Sequence, residues 1–361
     1  MTTIWIVPIE PLDSRYTKQW FDQMPAVIAN EGSKRKRPAK VRTIAGLEIE
    51  ETTTEGAFLD FGMTNHYKAS QIMTISRLFS EGKIKAGDKF LITDAWNFVV
   101  TAIKYMSDLM DIPVELHGIW HAGAYDPTDI LGLKMEKTWP NHQERAWFHA
   151  IDYNYFATDF HRQMFLKNLK IQKIYHKKTF VSGQLHVEAC HSGKDYFDNT
   201  ERENLIVFPH RLNEDKQPKI FEDLVNRLPD EWHYVITQKN DFSKDDLYKI
   251  FAQSKMVFSC SLHENLGIGQ MEGLVHGCIP VQPNRASYQE MYQDMFKYPS
   301  EWTENWKLYV KHRKKLVKFI INLMDKYDEI HQNELKDQVQ SIVENFMYPG
   351  VMIDKLLTEA K

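Results

Sequence analysis

The chain has 361 residues, long enough for two domains of ordinary size, each with its own core. With 45 basic against 49 acidic residues, a net charge of −4 and 43% apolar residues, it reads as a soluble globular protein and argues against one covered in positive charge. Three cysteines, Cys190, Cys260 and Cys278, are widely spaced and never form a C-x-x-C pair, which argues against a disulfide framework or a structural zinc site and for a reducing cytoplasm.

The opening apolar run, Ile4 to Val7, is too short for the apolar region of a signal peptide and leads into Pro8 and Glu10. No uninterrupted apolar stretch of about 18 residues follows, so no membrane segment is expected. Short apolar runs then alternate with longer amphipathic stretches. In the first half, strands are expected at 3–8, 89–93, 113–117 and 153–157, with helices at 16–30, 66–80, 98–110 and 161–169. In the second half, strands are expected at 204–208, 233–237, 256–259 and 279–282, with helices at 220–227, 244–253 and 270–275. Repeated βα alternation implies parallel sheets with helices on both faces. It occurs twice, on either side of a polar stretch, 182–203, where strand and helix signals both weaken. The expected class is therefore α/β, with two Rossmann-like domains facing a cleft, residues 1–185 and 186–330. From Glu301 the pattern is wholly helical. A C-terminal helical tail over 331–361, interrupted at Pro349-Gly350, could pack back on the first domain.

Chemistry concentrates in the second half. The segment Ser259-Cys-Ser-Leu-His-Glu264-Asn-Leu-Gly267-Ile-Gly269-Gln-Met-Glu272 places two carboxylates at either end of a glycine-containing turn that opens a helix. A helix N-terminus offers unpaired N–H groups and a positive dipole end to a diphosphate, and flanking carboxylates accept from sugar and ribose hydroxyls. Acidic residues near a helix start are also common for dipole reasons alone. A dinucleotide fingerprint would need a third glycine where Glu272 stands.

A second segment, Asn204-Leu-Ile-Val-Phe-Pro-His210-Arg211-Leu-Asn-Glu-Asp-Lys216, is a strand, a polar loop with two cations, and then an amphipathic helix. Together the two segments resemble retaining glycosyltransferases of the GT-B fold that carry a Glu-x7-Glu motif. The resemblance is specific over about residues 204–292. It implies that Glu264 binds hydroxyls of the transferred sugar, that Glu272 binds the ribose, and that Asn265, Leu266 and Gly267 offer backbone N–H groups to the diphosphate. Arg211 and Lys216 match the Arg and Lys that neutralise the leaving diphosphate in that family. A nucleotide-sugar, UDP-linked in the first instance, is the implied donor. No D-x-D signature is present, and a site holding Arg, Lys and a helix start has less need of a divalent ion, so no catalytic metal is expected.

In the first half, Pro113-Val-Glu-Leu-His117-Gly-Ile-Trp-His121 resembles the strand and loop where these transferases keep a histidine facing the cleft. His121 is the candidate, and His117 competes for the role; the pair lacks the carboxylate that a zinc helix would show. Many relatives have a glycine-rich turn after the first strand. Here the chain reads Pro8-Ile-Glu10-Pro-Leu-Asp13-Ser-Arg15-Tyr16-Thr-Lys18, making Asp13, Arg15 and Lys18 acceptor-side candidates, with helix capping as the plain alternative.

For the acceptor, the basic run Lys34 to Arg37 could contact phosphates, and the aromatic density from Trp139 to Phe156 could stack a displaced base; a solvated loop and an aromatic core are the plain alternatives. The opening Thr3–Trp20 is similar to glycosyltransferases of large tailed phages, a group that includes enzymes glycosylating hydroxymethylated pyrimidines in DNA. The expected function is thus retaining transfer of a sugar to a hydroxyl, with 5-hydroxymethylcytosine in double-stranded DNA the first acceptor to test. Transfer to a protein or glycan, and a noncatalytic nucleotide-sugar or DNA-binding protein on the same fold, are the alternatives.

Overall fold

The computed structural model describes residues 2–12, 16–50, 54, 60–198, 201–240 and 242–358. The chain divides into two compact units, Met1–Leu185 with Pro349–Lys361, and His186–Tyr348.

The first unit carries six strands: β1 (Thr3–Val7), β2 (Lys40–Thr43), β3 (Lys89–Ile92), β4 (Glu115–Trp120), β5 (Tyr153–Phe156) and β6 (Thr179–Val181). All pair in parallel, in the order β2-β1-β3-β4-β5-β6. The inner strands are apolar on both faces because helices cover both, as a parallel sheet requires. The helix Phe61–Ser80 starts where the Asp60 carboxylate accepts the Met63 N–H at 2.8 Å. Helix Val99–Leu109 buries Val99, Val100, Ile103 and Ser107, one stripe at helical spacing. The aromatic density from Trp139 to Phe156, expected as a base-stacking surface, is largely core: Trp147, Phe148, Tyr155 and Phe156 are all buried, and Trp139 stays exposed.

Edge strand β2 escapes a reading by periodicity because three of its four residues face solvent and it has no apolar alternation. The closing helix Gly350–Leu357 belongs to the first unit. It buries Met352, Ile353, Leu356 and Leu357, donates the Met352 N–H to Ser182 Oγ at 2.9 Å, and is held near its end by Lys89 Nζ, which donates to Thr358 O at 2.6 Å.

The second unit carries β7 (Glu203–Phe208), β8 (His233–Ile236), β9 (Ser254–Phe258), β10 (Ile279–Pro283) and β11 (Lys297–Tyr298), parallel, in the order β11-β10-β9-β7-β8. The polar stretch 182–203 contains a helix, Val187–Tyr196. Its buried residues are Ala189 and Gly193, and a Cβ on Gly193 would stand 2.5 Å from Val275 O. Small residues packed backbone-close give little hydrophobic signal, which is why the helix is faint in the sequence. Of the stretch 331–361, helix Glu334–Asn345 lies in the second unit and Gly350–Leu357 in the first. Among the described residues no helix is long and apolar enough to cross a membrane.

Candidate functional site

In an open parallel sheet, ligands bind beyond the carboxyl ends of the strands, where the loops converge. At that edge of the second unit lie the loops after β7, β9 and β10. Gly267 sits at φ +74° as the cap of helix Ile268–Val275, a conformation glycine adopts without strain. A Cβ there would also stand 2.6 Å from the Tyr288 ring, and one on Gly269 would stand 2.8 Å from Pro209. The two segments singled out in the sequence therefore meet: the start of the helix rests on the loop after β7. Among the described residues no side chain caps this helix, and the N–H groups of Ile268 and Gly269 take no backbone partner.

That approach joins Lys216 to Glu264. Lys216, only 6% exposed, directs Nζ to Glu264 Oε1 at 2.8 Å, to Ser261 Oγ at 3.0 Å and to His263 O at 2.6 Å. An ammonium has three protons, so all of them are committed. Asp215 Oδ2 lies 3.1 Å from the same nitrogen. Burial is the largest single influence on the Glu264 carboxyl and raises it, but the charge and hydrogen bond of Lys216, together with His210 and His263, outweigh it and hold the group below its ordinary value. Arg211, half-buried on the same loop, makes no hydrogen bond or ion pair with any described residue. Glu272 is buried on the helix, and Lys244 Nζ reaches its Oε1 at 2.5 Å, with Tyr248 Oη at 3.5 Å. Leu266 is buried and Asn265 half-buried in the turn between the carboxylates.

Three residues that the sequence reading passed over complete this edge. Arg285, after β10, donates to Ser261 O at 2.8 Å and to the carbonyls of Cys260 and Thr303 at 3.3 and 3.1 Å. Gln217, at φ 55°, donates to the same two carbonyls, Cys260 O and Thr303 O, at 2.7 and 2.6 Å. These bonds satisfy the loop after β9 and fix it. His210 lies 6% exposed beside Glu264, with Nδ1 3.6 Å from Oε1. Burial pushes its imidazole down to about 4, so at pH 7 it is neutral and that approach is a contact and not an ion pair. A lone arginine, glutamine or histidine in a loop carries no spacing signal, so no pattern could have marked them.

The first-unit candidates are placed differently. His121 follows β4, and its Nε2 meets Thr93 O at 2.7 Å while Nδ1 meets Gln184 Nε2 at 3.2 Å. Nε2 therefore carries the proton and Nδ1 accepts, a ring committed on both sides; burial lowers its pKa and keeps it neutral. His117 is a core residue, bonded to Tyr155 Oη and Glu115 Oε1, each at 2.8 Å. Lys18 pairs with Asp22 one turn on along helix Tyr16–Lys34, while Asp13 and Arg15 lie outside the described residues. In the basic run, Arg35 is paired with Asp354 at 2.9 Å and Lys34 with Glu31 at 2.9 Å. Among the described residues no three His, Cys, Asp or Glu side chains gather as metal ligands.

No protein-family model matches the chain. Among curated proteins it is similar to the tRNA-queuosine alpha-mannosyltransferase of Drosophila melanogaster, 24% identical over 166 residues. The match covers 39% of this chain and 44% of the relative, so the chain spans less than half of that protein. Among solved structures the chain is similar to sucrose-phosphate synthase from Thermosynechococcus elongatus, with TM-score 0.63, 9% identity, 98% of this chain and 97% of that one covered. It is also similar to HepE of Anabaena in complex with UDP and glucose, with TM-score 0.60, 10% identity, and 99% and 98% covered. The fold is GT-B. Within the GT-B fold the turn from Glu264 to Glu272 stands at the carboxyl edge of the second parallel sheet.

Proposed function

We propose that the protein is a glycosyltransferase that moves a sugar from a nucleotide-sugar, with UDP-sugars first among the donors, to an acceptor hydroxyl with retention of configuration. The observation that carries this reading is the meeting of the Lys216 loop, the Glu264 carboxylate and an uncapped helix start on a GT-B fold. The helix start and the N–H groups of Asn265, Leu266 and Gly267 receive the diphosphate. Arg211, with no hydrogen bond or ion pair to a described residue, supplies the cation that grows in importance as the diphosphate leaves, and Lys216 supports it. Glu272 accepts from the ribose and Glu264 from the transferred sugar. The HepE structure, which contains UDP and glucose, supports a UDP-linked donor. These residues supply the charge for departure without a metal, so turnover is expected to persist in EDTA.

For the acceptor we propose a hydroxyl on a modified base in nucleic acid, 5-hydroxymethylcytosine in double-stranded DNA first. A second reading, a modified nucleoside in tRNA, is favoured by the name of the Drosophila relative. Incubation with UDP- and GDP-sugars and with hydroxymethylated DNA, unmodified DNA or tRNA, followed by nucleoside mass analysis, tests both. A hexose or pentose mass gain on one nucleic acid selects between them. Donor turnover with no gain on either overturns the nucleic-acid acceptor. Donor binding without transfer or hydrolysis overturns the enzyme reading in favour of a binding protein.

A further inference from the structure

Two buried polar atoms near Glu264, His210 Nε2 and Tyr292 Oη, have no hydrogen-bond partner among the described residues. Oε1 of the carboxylate receives Lys216 Nζ, whereas Oε2 receives no hydrogen bond from a described residue. His210, against the Phe208 ring at 5.0 Å, buries Nε2 without a partner, and its Nδ1 at 3.6 Å from Oε1 is too distant for a hydrogen bond. Tyr292, 4% exposed, buries its hydroxyl without a partner as well. Tyr292 ends the short helix Tyr288–Met291, which is tied to the loop after β9: Ser287 N donates to Glu264 O at 3.3 Å, and Tyr288 Oη donates to Ser259 Oγ at 3.1 Å. Burial, and then the Glu264 charge, raise the Tyr292 phenol well above its ordinary value, which keeps it protonated as a donor.

Buried polar atoms are nearly always paired, so unpartnered ones beside a carboxylate point to a ligand that supplies the partners. A carboxylate oxygen only accepts, a phenol donates or accepts, and a neutral imidazole nitrogen does one or the other. A polyol ring, whose hydroxyls both donate and accept at fixed angles, matches that set. A phosphate, which only accepts, does not match the carboxylate.

We infer that His210 and Tyr292 are specificity-determining residues of the donor site, contacting hydroxyls of the transferred sugar through Nε2 and Oη beside Glu264. The inference rests on the donor-site reading above and deepens it. A site built to bond a hydroxyl discriminates strongly against an epimer that moves it, because the buried polar groups are then left unpaired.

The test is calorimetric binding of UDP, UDP-glucose, UDP-galactose, GDP and GDP-mannose to the full chain and to His210→Ala, His210→Gln and Tyr292→Phe. Tyr292→Phe removes one oxygen and keeps the packing, so it reports even where the alanine variant fails to fold. We expect His210→Ala and Tyr292→Phe to leave nucleoside-diphosphate affinity unchanged and to weaken the preferred nucleotide-sugar about 10-fold, with a changed preference between epimers. Gln, whose amide reaches toward the Nε2 position, is expected to restore part of the loss. Equal weakening of the diphosphate and its sugar form, or no change in either, would overturn the inference while leaving the donor site intact. Failure of the unmodified chain to bind any of the five would overturn both.

Discussion

Lys216 has three protons and three acceptors, Ser261 Oγ, His263 O and Glu264 Oε1, and this saturation shapes what its removal does. In Lys216→Ala the diphosphate loses a supporting charge, and Glu264 is left buried without its counter-ion. Turnover is expected to fall by about 10²–10³ with a smaller loss of donor affinity, and the thermal midpoint to drop. Unchanged turnover in steady-state kinetics would remove Lys216 from the diphosphate role. Glu272→Ala is expected to weaken UDP binding about 10-fold, measured by calorimetry; equal affinity would show that the ribose is held elsewhere. Glu264, Glu272, Arg211 and Lys216 were legible as candidates because each pair lies within one short segment whose spacing carries meaning. His210 and Tyr292 were not, because their relation to Glu264 arises only when separate loops are brought to one sheet edge. The reading of Lys216 as a ligand cation also could not foresee that its protons are already committed inside the protein.

At the scale of elements, the turn at Gly267 couples conformation to packing. Gly267→Ala would need a left-handed backbone at φ +74° and would press a methyl group to 2.6 Å from the Tyr288 ring. A loss of about 2 kcal/mol or more is expected in denaturant unfolding, together with weaker nucleotide binding, since the helix start must shift. An unchanged midpoint would mean that the turn tolerates a side chain and that glycine is not required there. The inner strands β1, β3, β7, β9 and β10 were legible as apolar runs because both their faces are covered. Helix Val187–Tyr196 was hidden because it packs through Ala189 and Gly193, and edge strand β2 because solvent takes most of its side chains. Periodicity reports which face is apolar, so it fails where contact is made by small residues or by one covered edge.

Across the molecule, several imidazoles are buried in the neutral form. Burial lowers His186 and His210 to about 4, and lowers His117, His121 and His276 below their ordinary value. Through these rings the folded state binds fewer protons than the unfolded chain between about 6.5 and 4, so their share of the stability is full above 6.5 and is lost as pH falls through that window, opposed by Glu144, whose carboxyl burial raises to about 7. Each ring near 4 is expected to account for about 1–3 kcal/mol. The thermal midpoint should decline from pH 7 to pH 5; a flat profile would mean that these rings are protonated in the fold or take up their protons without cost. The path of the chain has a further consequence. Residues 349–361 belong to the unit formed by 1–185, so the first unit is discontinuous and encloses the second within its sequence. The Ser182 hydroxyl after β6 accepts the Met352 N–H from the first turn of the closing helix Gly350–Leu357, and the Lys89 ammonium, paired also with Glu115, donates to the Lys355 and Thr358 carbonyls at its end. On the ribosome, the unit begun first is therefore finished last, after the whole of the other has been made, and a chain stopped at Tyr348 would hold every residue of the second unit while leaving the first without its closing helix.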